Sequence, residues 1–207
     1  MKTLTQKELK ELSPVTALEI LKKGNERFIS NLKINRNLLQ QANHTSNEQH
    51  PFAIILSCID SRTSAELIFD QGLGDIFSIR VAGNVVNKDI LGSMEFGCKV
   101  AGSKLIVVLG HTNCGAIKGA CDHVEMGNLT QLLHKINPAI SQETTTEENR
   151  TSSNNHFVDN VTTLNVRNVI TEIKQNSPIL NELLIKGDCI IVGGLHNIET
   201  GKVTFIA

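Results

Sequence analysis

Tryptophan and tyrosine are absent from the 207-residue chain, and seven Phe make up its whole aromatic complement of 3%. A stacking platform for bases or sugars has almost nothing to be built from. An excess of either charge is missing too: 20 Lys and Arg face 21 Asp and Glu, a net charge of −1, which leaves no electrostatic footprint for nucleic acid or an anionic membrane. No stretch approaches the roughly 18 apolar residues of a membrane span. The opening Met1-Lys2-Thr3-Leu4-Thr5-Gln6-Lys7-Glu8 lacks the apolar core of a secretion signal. Cysteine is sparse and odd in number, at five scattered positions (Cys58, Cys98, Cys114, Cys121 and Cys189), unlike the dense even sets of small secreted domains. These absences predict a protein of the cytoplasm with no nucleic-acid or membrane partner.

Several catalytic motifs are missing as well. There is no Cys-x-x-Cys dithiol centre, no Gly-x-x-x-x-Gly-Lys phosphate loop and no Gly-x-Ser-x-Gly elbow. A phosphatase-type cysteine loop needs an Arg six positions after its Cys, where this chain has Ser64 after Cys58 and Ala120 after Cys114.

What is present is a set of buried-strand signatures alternating with helical ones. Aliphatic runs predict strands over 52–57, 76–81, 104–109, 189–192 and 203–206, the last two joined by a turn at Glu199-Thr200-Gly201-Lys202. Ser13-Pro14 offers an N-cap and a first-turn proline, and apolar spacing from Ala17 to Leu32 predicts a helix over about 14–31. Further helices are expected over 88–101, most of 115–140, 157–175 and from Pro178 to Leu184, with residues 1–12 frayed or lightly helical and 141–155 a polar surface loop. The alternation predicts an α/β fold: one domain over 1–207, its central, mostly parallel sheet flanked by helices, with an antiparallel edge strand and an N-terminal helical arm over about 1–35.

Two of the strands deliver chemistry. Ala53-Ile54-Ile55-Leu56 leads to Cys58-Ile59-Asp60-Ser61-Arg62, and Leu105-Ile106-Val107-Val108-Leu109 leads to His111-Thr112-Asn113-Cys114. The carboxyl edge of a parallel sheet is where ligands bind. Two thiolates and an imidazole form a donor set that zinc accepts, with the fourth tetrahedral position left open. Asp60 and Arg62, two residues apart, can form a bidentate clamp that keeps the carboxylate ionised and aimed. Cys98, Cys121 and Cys189 are assigned to packing.

Cys58-x-Asp60-x-Arg62 with His111-x-x-Cys114-Gly115 resembles the signature of the β-class carbonic anhydrases. Gly24-Asn25-Glu26-Arg27-Phe28, Arg80-Val81-Ala82-Gly83-Asn84 and Ile191-Val192-Gly193-Gly194 extend the likeness along nearly the whole chain. The resemblance implies a zinc enzyme that interconverts carbon dioxide and bicarbonate, with a single Zn²⁺ in each chain on Cys58, His111 and Cys114. It makes Asp60 and Arg62 the catalytic dyad that orients the zinc-activated water. Gln49 and the backbone N–H of Gly115 would contact substrate, with Phe77, Ala82 and Phe96 at its apolar wall, Phe96 standing where a tyrosine is common. His44 and His50 are read as loop histidines rather than proton carriers. A homodimer or homotetramer is implied, as is membership of the subgroup whose Asp60 stays on Arg62, since the Trp and Tyr of an inhibitory anion site are missing. Two rivals are a related hydrolase of carbonyl sulfide or carbon disulfide and a non-catalytic zinc-binding protein.

Overall fold

In the computed structural model, which describes residues 3–206, five strands form one sheet in the order β2-β1-β3-β4-β5. They are β1 (Ala53–Ser57), β2 (Ile76–Arg80), β3 (Leu105–His111), β4 (Ile190–His196) and β5 (Val203–Ile206). All neighbouring pairs run parallel except β4 and β5. The strand residues of β1 and β3 are buried without exception, which explains their unbroken aliphatic runs: a central parallel strand is covered on both faces.

The period of two along β1 assigns its side chains to opposite layers. Ile54 and Leu56 pack with Ile106 and Val108 against Met94, Val166, Ile173 and Leu180. These come from α5 (Lys88–Glu95), α9 (Asn155–Asn176) and α10 (Pro178–Lys186). Ala53 and Ile55 pack with Leu105, Val107 and Leu109 against Leu9, Ala17, Leu21, Ile68 and Phe69. That second layer is built from α1 (Gln6–Glu11), α2 (Pro14–Ile29) and α4 (Ala65–Ile68), with α3 (Leu38–His44) lying between α2 and β1 in the chain. A third apolar group, of Ile117, Leu133, Ile136, Phe157 and Val161, closes over Cys58 and Cys114.

Several local expectations need correction. Of the two alternatives for the charged start, the helix holds over residues 6–11, because Thr5 and Glu8 form a reciprocal capping box. Helix and sheet then meet through Leu9, which is buried. The helical stretch after Cys114 is broken into α6 (Gly115–Cys121), α7 (Gly127–His134) and α8 (Asn137–Gln142). His123 and Gly127, both at positive φ, mark the first break. The helix over 88–101 loosens into a π-helical turn at Phe96–Val100.

The polar segment 141–155 is also more than a solvated loop, because it wraps a buried carboxylate. Glu143, 2% exposed, accepts hydrogen bonds from the backbone and hydroxyl groups of Thr145 and Thr146, from Asn160 Nδ2 at 3.2 Å and from Arg150 Nη1 at 2.7 Å. Burial alone would raise its pKa, but these donors win and hold it down at about 2. A carboxyl depressed from the ordinary ~4.3 stabilises the fold above that value and loses the contribution as pH falls towards 2. Glu143→Gln is therefore expected to lower the urea midpoint at pH 7, with the deficit relative to wild type shrinking between about pH 4 and pH 2.

Candidate functional site

Cys58 follows the last residue of β1, His111 is the last residue of β3, and Cys114 is the N-cap of α6. Parallel register sets Ser57 beside Leu109, so the ends of the two strands bring these side chains to one place. The Cys58 and Cys114 sulfurs lie 3.9 Å apart, and the donor atoms of Cys58, His111 and Cys114 all fall within 4.8 Å of one another. All three residues are buried, and among the described residues this is the one group of its kind.

The donor chemistry fits a divalent metal. His111 Nδ1 donates to the Thr112 carbonyl at 2.9 Å, which leaves Nε2 as the lone-pair nitrogen. That Nε2 is buried without a hydrogen-bond partner. An orphaned imidazole nitrogen beside two thiols is costly in a bare core and satisfied by a cation. The thiols are prepared in the same sense. Cys58 is drawn down to about 4, chiefly by the hydrogen bond from Cys114 and against its burial, with help from the backbone N–H groups of Asp60 and Gly83. Cys114 keeps the shared proton, because ionising beside a Cys58 thiolate in an apolar setting is unfavourable. A metal ion bound here would replace that proton and offset the charge of both thiolates.

Asp60 and Arg62 form the expected fork. Arg62 Nε donates to Oδ1 at 2.9 Å and Nη2 to Oδ2 at 2.7 Å, while the Arg62 backbone N–H also reaches Oδ1 at 2.9 Å. These bonds outweigh desolvation and hold the Asp60 carboxyl well below the usual carboxylate range. Arg80, at the end of β2, is a contributor that motif reading passed over. Its Nε donates to the Cys58 carbonyl at 3.1 Å and its Nη2 to the Asp60 carbonyl at 2.6 Å, which pins the loop carrying both residues. His196 is another, opposite His111 in the β3–β4 register and 2% exposed, with its Nδ1 unpartnered. Burial, then the neighbouring His111, lowers it to about 4, so it is neutral at physiological pH.

The five expected substrate contacts divide. Gly115 adjoins Cys114, and Ala82 begins the turn whose Gly83 N–H points at Cys58. Gln49, Phe77 and Phe96 are not brought to the metal group within one chain. Gln49 precedes β1 and Cys58 follows it, so the two flank opposite ends of a strand about 13 Å long. Gln49 instead lines a cavity of about 260 Å³ with Gln6, Leu9 and Lys104, together with His50. Phe77 pairs with Ile54 early in the edge strand β2, and the Phe96 ring sits edge-on to it at 6.3 Å. Phe96 is 52% exposed.

Two thiols and an imidazole at the carboxyl edge of a parallel sheet, beside a clamped carboxylate, describe an α/β protein with a donor group that could hold a metal ion. Known proteins resolve the class further. The family model described as carbonic anhydrase matches residues 53–203. The carbonic anhydrase of Mycolicibacterium smegmatis is 32% identical over 198 residues, covering 92% of each chain. Carbonic anhydrase 2 of Mycobacterium tuberculosis is 33% identical over 198 residues, covering 92% of this chain and 91% of its own. The chain belongs to the carbonic anhydrase family, in its β class. Among solved structures, the β-carbonic anhydrase CcaA superposes with a TM-score of 0.69 at 25% identity, covering 92% of this chain and 93% of its own. A tetrameric β-carbonic anhydrase of Sordaria macrospora shares the fold with a TM-score of 0.70 at 22% identity, covering 81% of this chain and 90% of its own. No helix among the described residues is long and apolar enough to cross a membrane.

Proposed function

We propose that the protein holds Zn²⁺ on Cys58, His111 and Cys114 and catalyses the reversible hydration of carbon dioxide to bicarbonate and a proton. The observation that carries this reading is the buried, unpartnered His111 Nε2 facing two thiols 3.9 Å apart, in a chain of this family. When bound, zinc acts as a Lewis acid that makes a water molecule nucleophilic near neutral pH. Asp60 would accept a hydrogen bond from the attacking water and orient it towards the carbon of CO₂, and Arg62 keeps the carboxylate charged and aimed. Arg80 holds the loop in place, so the alignment costs no reorganisation during reaction. The Gly115 N–H and the Gln49 amide would donate to substrate oxygens while Phe77, Ala82 and Phe96 give it an apolar wall. Asp60 is committed to Arg62 and would not compete with water for a bound metal, which supports the always-open subgroup. Five cysteines kept as free thiols suit a cytoplasmic setting.

The reading includes a homodimer or homotetramer. Gln49, Phe77 and Phe96 are too far from Cys58 to serve their own chain's metal group, and Phe77 with the exposed Phe96 beside it lies on the edge strand β2. A second copy packed against this edge would bring its Gln49 and phenylalanines to the first copy's Cys58. Complementation tests this arrangement. Gln49→Ala and Asp60→Asn subunits, each weakly active alone, are expected to recover a substantial fraction of wild-type hydration when unfolded and refolded together, because each mixed dimer regains one intact site. Activity that stays at the mean of the two variants would contradict it.

A further inference from the structure

Two thiols that the chemistry above does not use face each other inside the molecule. Cys98 lies in the π-helical turn after α5 and Cys189 immediately before β4, 91 residues further along the chain, and their sulfurs approach to 3.7 Å. Both are buried, at 5% and 2% exposure, in the apolar layer with Met94, Leu180 and Leu183. They are linked by an S–H···S contact, and Cys189 in turn donates to the Ile190 carbonyl at 3.4 Å. We propose that Cys98 and Cys189 are an oxidisable dithiol, a modification site at which hydrogen peroxide closes a disulfide that staples the π-helical turn to the head of β4.

The geometry favours closure of this pair. A disulfide bond is about 2.05 Å long, so the sulfurs need to approach by roughly 1.7 Å. Cys98 sits where the regular α-helical ladder gives way to a π-helical turn, a local irregularity rather than the middle of a rigid helix. The chemistry balances with one peroxide. One sulfur attacks a peroxide oxygen, the O–O bond breaks, and the departing hydroxide leaves with the thiol proton as water. The second sulfur attacks the resulting sulfenic sulfur, the S–O bond breaks, and a second water leaves with the other proton. Two thiols give up two electrons and two protons, and one S–S bond forms. The Cys189 contact, followed by burial, pushes ionisation of Cys98 far above the usual thiol range, so the reaction is slow and needs excess peroxide. That resistance keeps the pair reduced under ordinary conditions.

The test is peroxide treatment of the full-length, zinc-loaded protein, followed by thiol counting in denaturant with chelator, peptide mass mapping without reductant, and a thermal melt. Loss of two of the five thiols is expected, with one cross-linked peptide pair joining Cys98 to Cys189. Closing so long a loop constrains the unfolded chain, so the melting temperature should rise on the order of 10 °C and return on reduction. Cys98→Ser and Cys189→Ser should each keep all four remaining thiols. Five thiols after treatment, a link between Cys58 and Cys114 or any other pair, or a bridged form that melts no higher would overturn the proposal. The wild-type mass map needs no variant, so a substitution that fails to fold leaves the test intact.

Discussion

Replacing Asp60 with Asn is expected to reduce CO₂ hydration about 10²–10³-fold while zinc content and thermal stability stay close to wild type, the scale seen when one preorganised electrostatic group is removed. Asn keeps the volume and one acceptor oxygen. It loses the charge that receives both arms of Arg62, at 2.9 and 2.7 Å, and it introduces an amide that repels the guanidinium. The side chain is 15% exposed and Arg62 54% exposed, so little of the fold depends on the pair. The loss should therefore fall on kcat, measured by stopped-flow hydration, with zinc measured on the same sample. A variant within threefold of wild type would mean that Asp60 does not orient the nucleophile.

His111→Ala should have the larger effect on the metal. Removing a partner outside the ligand shell commonly lowers metal affinity about 10–100-fold, and removing a ligand itself should exceed that. Purified His111→Ala is expected to retain little zinc and to hydrate CO₂ at the background rate. Two further observations separate lost binding from lost folding. The hole it leaves lies at the end of β3, in a wall shared with Cys58, Cys114 and Ile117. The sheet layers on either side, around Ile54 and Ile55, are untouched, so secondary structure by circular dichroism should survive. Full zinc occupancy in this variant would contradict the ligand assignment.

These expectations rest on features the sequence exposes unevenly. Cys58, Asp60 and Arg62 follow one aliphatic run, while His111 and Cys114 end or follow another. Buried parallel strands announce themselves as unbroken runs, so the metal group and the sheet edge that carries it were both readable. Arg80 and His196 were not, because they meet the site only through register: Arg80 pairs with Ser57 across β1 and β2, and His196 with His111 across β3 and β4. Register depends on which strands become neighbours, and a linear pattern does not encode it. Cys98 and Cys189 are hidden because helix-on-sheet packing, rather than any local pattern, brings the turn after α5 against the head of β4. The split of Gln49 from Cys58 was within reach, since a five-residue strand between them already places them at opposite edges. The capping box of Thr5 and Glu8 is equally visible, and it decides for the helix that the charged start left open.

The most direct measurement is stopped-flow CO₂ hydration by the zinc-loaded protein from about pH 6.5 to 9. The proposed chemistry predicts rapid turnover that rises gradually towards alkaline pH, because two thiolates donate more charge to the metal than imidazoles would and leave its water less acidic. Asp60, held on Arg62 across this range, should remain off the metal, so no cooperative collapse is expected below pH 8. Fully zinc-loaded protein that hydrates CO₂ at no pH in this range would contradict the proposed function.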